Sequence, residues 1–210
     1  MRRLWWGDFP TRQFDNLDAD AVVAVLPVAA VEQHGPHLPV STDFAIMQGM
    51  LETAFALIPA DLDVRFLPVQ AVGKSNEHIR FPGTLTVPAA WMRCGVPDGL
   101  YGEAEQKYGI HGGDRETSLM LHFRPDLVDM AAAADFASRV ADAEEAFAHL
   151  RQTGTHAFAW EAGDLNPAGT VGQAHLASAE KGRLTAEHQA RGFVALLADV
   201  RRARLADWIA

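Results

Sequence analysis

A chain of 210 residues with 49% hydrophobic and 21% charged content has the makeup of one soluble globular domain, so a single domain over residues 1–210 is expected. The formal net charge of −9, with Arg201 to Arg204 as a lone short basic stretch, argues against nucleic acid and anionic membranes as partners. No apolar run reaches the roughly 20 residues of a spanning helix, and Asp8 and Pro10 interrupt the start before a signal-peptide core can form, so a cytoplasmic location is expected.

In chain order, Trp5 and Trp6 read as a packing anchor at the entry of the fold, and residues 17–20, LDAD, as a turn. Residues 21–28, AVVAVLPV, form an apolar, β-branched run that predicts a strand covered on both faces. Glu32, His34, His37 and Asp43 follow at once, punctuated by Gly35, Pro36 and Pro39. A polar loop at the carboxyl end of a buried strand is where α/β sheets place ligands. Glu32 and His34, two residues apart in extended chain, point to the same side, and imidazole with carboxylate suits zinc, manganese or iron better than calcium. The same spacing also describes a solvated turn whose acids face water. Asp43 has a structural use as well, since residues 43–57 carry apolar side chains at helical spacing and place it near a helix N-terminus.

Residues 62–72, LDVRFLPVQAV, predict a second strand lying parallel to the first across that helix. The next loop, residues 73–88, carries Ser75, Glu77 and His78 ahead of Phe81-Pro82-Gly83-Thr84. Cys94, the single cysteine, has no base beside it in sequence and reads as an incidental or buried thiol in a reducing compartment. Residues 109–116 hold His111 among glycines and then Glu116, which opens a predicted helix over Thr117 to Phe123 where an acid is favoured by the dipole alone. Alanine-rich residues 131–151 predict a solvated helix, and residues 176–200 an amphipathic closing helix, with Trp160, Glu161, Asp164, Asn166 and Pro167 in a loop between them. His175 and His188 read as surface or helix histidines.

The run Glu32-Gln33-His34-Gly35-Pro36-His37-Leu38-Pro39, closed by Asp43, resembles the amino-terminal signature of the creatininase family of metal-dependent amidohydrolases. Ser75 to Thr84, with its Glu-His pair, and residues 109–128, GIHGGDRETSLMLHFRPDLV, resemble two further elements of that family. The resemblance implies an α/β three-layer sandwich with a mostly parallel central sheet flanked by helices. It implies two divalent ions (Zn, Mn or Fe), with Glu32 on one, His34 and Glu116 on the other and Asp43 bridging, and it makes His111 the proton-handling residue with Glu77 and His78 beside the substrate. The expected partners are a small-molecule amide substrate and further copies of the chain, the family forming ring-like hexamers. One family segment has no counterpart. The Asn-Gly/Ser-His-Gly-Gly loop, whose histidine ligates the first metal, is missing together with a strand-and-helix unit near residues 93–94. The first ion would then need a substitute such as His37, His78 or a neighbouring subunit's histidine. Two functions stand at this point: hydrolysis of a cyclic amide or formamide C–N bond by metal-activated water, or a catalytically impaired member serving as a binding or oligomer-forming subunit.

Overall fold

The computed structural model describes residues 3–10, 13–15, 17–18, 21–31, 33–70, 90–140, 146–151 and 160–203. The chain forms two compact units, the first made of Met1–Ala30, Met47–Val96 and Glu187–Ala210, the second of Val31–Ile46 and Pro97–Ala186.

In the first unit, β1 (Val23–Val25) pairs in parallel with β2 (Val64–Phe66), in the register Val23 to Val64 and Val25 to Phe66. Both predicted strands are present, each shorter than its apolar run. Pro27 and Pro68 offer no N–H to the ladder, so regular pairing stops before them and resumes only as an isolated bridge between Val28 and Gln70. The expectation of a strand covered on both faces needs correction, because Ala24, Leu26 and Val28 are exposed. Phe66 is fully buried and carries the core of this unit: Trp5 meets it edge-on, and the rings of Phe55 and Phe193 lie 4.7 and 6.5 Å away. The Trp5 anchor is therefore real, and the Leu4 carbonyl accepts the Phe66 N–H at 2.8 Å. Cys94 ends a 3-10 turn (Trp91–Cys94), where partial burial pushes its thiol pKa up.

The second unit holds α2 (Glu103–Tyr108), α3 (Asp114–Phe123), the single turn α4 (Ala162–Leu165), and the antiparallel pair β3 (Asp135–Phe136) and β4 (Gly172–Gln173). Helices α1 (Thr42–Phe55) and α5 (Ala179–Arg202) begin in this unit and end in the other. Of the helix expected from alanine content at 131–151, residues 131–136 form turn and strand instead, while Val140 and Ala146 are helical. Asp129 Oδ1 takes the Ala131 N–H at 3.0 Å, and Phe136 is buried in the pairing with Gly172, so tertiary contact overrides local propensity. Residues 141–145 lie outside the described ones. The closing helix starts three residues later than its apolar pattern suggested, because Ala174–Leu176 forms a 3-10 turn and the Ser178 hydroxyl accepts the Lys181 N–H at 3.3 Å as an N-cap. No described helix is long and apolar enough to cross a membrane.

Candidate metal centre

The described candidates, His34, Asp43, His111 and Glu116, all belong to the second unit. The loop carrying His34 turns at Gly35, whose φ of +80° suits glycine, and a Cβ there would press on Thr170. The loop ends where the Thr42 hydroxyl donates to the Pro39 carbonyl at 2.7 Å and α1 begins. Asp43 thus sits in the first turn of α1, with the positive end of the helix dipole close by. Glu116 occupies the equivalent place in α3, and its Oε2 accepts the Gly112 N–H at 2.6 Å.

These elements bring four donors together. His34 Nε2 lies 3.3 Å from Asp43 Oδ1 and 4.0 Å from Glu116 Oε2. One ligand atom each from His34, His111 and Glu116 fall within 4.8 Å of one another, and the two imidazole rings sit 4.3 Å apart at 33°. Two carboxylates beside imidazoles, with His34 only 1% exposed, form a half-buried cluster of negative charge that favours a cation. Nitrogen and oxygen donors in this mixture fit zinc, manganese or iron rather than calcium, which takes oxygen alone.

His111 is fixed from both ends. Its carbonyl accepts the Val171 N–H at 2.8 Å and the Thr170 hydroxyl at 2.7 Å, while its Nε2 lies 2.7 Å from the Gln33 carbonyl. The Gln33 side chain donates to the Gly169 carbonyl at 2.6 Å and accepts the Gly35 N–H at 3.0 Å, tying the two loops together. Sequence reasoning passed over Gln33; its place between Glu32 and His34 was the available signal. His37, one of the substitutes weighed for the missing nitrogen ligand, is engaged elsewhere. Its Nε2 donates to the Gly112 carbonyl at 2.9 Å, its ring stacks on Phe136, and burial lowers its pKa, so it is a neutral brace for the His111 turn. Glu32, Glu77 and His78 lie outside the described residues.

The profile of the creatinine amidohydrolase family matches residues 8–98 and 88–197, two stretches that meet around Arg93 and Cys94. A mycofactocin precursor peptide peptidase of Mycobacterium tuberculosis is 26% identical over 248 aligned positions, covering 97% of this chain and 92% of that protein. An alignment longer than the 210-residue chain means that the relative has residues with no counterpart here, as the missing segment requires. The Mycolicibacterium smegmatis peptidase of the same name is 28% identical over 154 positions, covering 50% of this chain and 59% of that protein, so that this match spans less than two thirds of the relative. A Bacteroides fragilis protein assigned as a creatinine amidohydrolase superposes with a TM-score of 0.69 at 22% identity, covering 98% of this chain and 99% of its own. A manganese form of creatininase does so at 0.66 and 18%, covering 96% and 100%. The α/β fold is thus that of the creatininases, and the chain belongs to the creatininase family of hydrolases.

Proposed function

We propose that this chain is a metal-dependent hydrolase of amide C–N bonds whose divalent ion is held by His34, Asp43 and Glu116. The convergence of these three side chains from three separate segments is the observation that carries the reading. Such an ion, when bound, supplies Lewis acidity that polarises an amide carbonyl and lowers the pKa of water. The chain's own residues prepare the place. Glu116 is aimed by the Gly112 N–H, Asp43 is placed in the first turn of α1, and His34 is buried beside both. The Gln33 carbonyl holds the His111 N–H at Nε2, which leaves the lone pair of the ring on the other nitrogen.

The names of the curated relatives support a peptide-derived amide as the substrate ahead of creatinine or a formamide. The test is to incubate the metal-loaded protein with short peptides of varied termini, formamides and creatinine, and to follow cleavage by mass spectrometry. Turnover of one class is expected, falling by at least about 100-fold in Glu116→Ala and His34→Ala, the scale of a disrupted metal shell. The missing segment favours a second reading, an impaired member acting as a binding subunit. Firm metal binding with no turnover of any amide would select it.

A further inference from the structure

In the family reading His111 stays off both metals, His34 and Glu116 hold one ion, and the histidine of the other ion comes from a segment that this chain lacks. Here a ring nitrogen of His111 belongs to the same tight group as His34 and Glu116, all within 4.8 Å. Donors around one ion at about 2.1 Å sit roughly 3–4 Å apart, so such a group closes on a single cation with little movement. The hydrogen bonding of His111 also suits a ligand better than a shuttle. Its Nε2 has two neighbours on Gln33, the carbonyl at 2.7 Å and the side-chain amide at 3.5 Å, and the shorter contact places the proton on Nε2. A ligating imidazole characteristically gives its other N–H to a backbone carbonyl in this way. A proton carrier profits from ring motion. This ring is held by Gln33, and its backbone by Thr170 and Val171.

We propose that this chain binds one divalent transition ion per subunit in a mononuclear site formed by His34, His111 and Glu116, with Asp43 alongside, His111 adding a second nitrogen to the ion that His34 and Glu116 hold. The inference rests on the metal part of the reading above and is independent of its hydrolytic part. It is tested on the full chain, stripped by chelator and titrated with Co2+ while visible absorption and calorimetric heat are recorded. About one ion per chain is expected. His111→Ala is expected to weaken Co2+ binding by more than the roughly 10- to 100-fold caused by losing a partner outside the ligand set, and to alter the visible bands. Binding of two ions, or a His111→Ala protein with unchanged affinity and spectrum, would overturn the proposal. Should that variant fold poorly by circular dichroism, the wild-type Co2+ form decides by paramagnetic proton NMR. Two shifted imidazole N–H signals support ligation by both histidines, and one signal refutes it. A single-ion site that hydrolyses no amide would sink the proposed reaction and leave this site standing.

Discussion

Glu105 is a carboxylate buried to 1% exposure with backbone around it. The N–H groups of Arg115 and Gln173 donate to it at 3.1 and 2.8 Å, and a Cβ at Gly109, Gly113 or Gly172 would overlap it. Three of these residues, Gly109, Gly113 and Arg115, belong to the stretch that carries His111 and Glu116, so Glu105 braces the site. Burial raises its pKa above the usual carboxylate value and outweighs the backbone donors that pull it down. A raised folded-state pKa gives stability that is fully present below the unfolded glutamate value and lost as pH rises through the folded one. The stability of wild type minus that of Glu105→Gln is therefore expected to fall as pH rises from acid to neutral, by at most about 1.4 kcal/mol per pH unit, the slope of one proton. Urea melts across pH measure it, and a difference that grows with pH would mean that the backbone donors win. Nothing near Glu105 in sequence announced this role, because its partners are backbone groups up to 68 positions away. His34, Asp43, His111 and Glu116 could be singled out beforehand because they stand in motifs that resemble the family's, although the helix dipole alone explains an acid at Asp43 or Glu116.

At the scale of elements, the second unit depends on how closely α5 approaches α3. Gly182 lies against the Ser118 carbonyl, where a Cβ would sit far inside van der Waals contact, and the His122 Cβ closes the other side at 2.9 Å. Around it Lys181 pairs with the buried Asp114, and the Ser178 N–H donates to the Ser118 hydroxyl at 3.1 Å. Alanine in place of a helical glycine ordinarily gains about 1 kcal/mol from propensity. Here the obstacle is backbone, which cannot rotate away, and overpacking of this kind costs about 1–3 kcal/mol. Gly182→Ala is expected to lower the urea midpoint, whereas Gly163→Ala, with open space around its Cβ position, should not show that clash. The long helices α1 and α5 could be read from apolar spacing because one face of each is buried over many turns. Two-residue strands such as β3 carry no period to read, and alanine propensity pointed the wrong way there. What placed β3 was Phe136 packing under His37, a contact 99 positions apart that only the folded chain reveals.

For the molecule as a whole, every described metal-ligand candidate lies in one compact unit, yet two helices, α1 and α5, run unbroken through both. An ion that binds the folded state and not the unfolded one stabilises by RT ln(1 + [L]/Kd), about 2.7 kcal/mol when the ion is at 100 times its Kd. For a chain of this length that corresponds to roughly 5–10 °C in Tm. If the units unfolded separately, the gain would go to the one holding His34, His111 and Glu116. Unfolding that unit would have to melt α1 between Ile46 and Met47 and α5 between Ala186 and Glu187, leaving helix ends with unmet backbone groups in the other. Interrupting both helices in mid-course is costly, so a single cooperative transition is expected, and we propose that the chain behaves as one thermodynamic domain. Calorimetric scans in chelator and in excess Mn2+ or Zn2+ check both points at once: one peak, moving upward as a unit with the metal. Two peaks of which only one moves would show that the helices do not couple the units, and one peak that ignores metal would remove the ion from the folded state altogether.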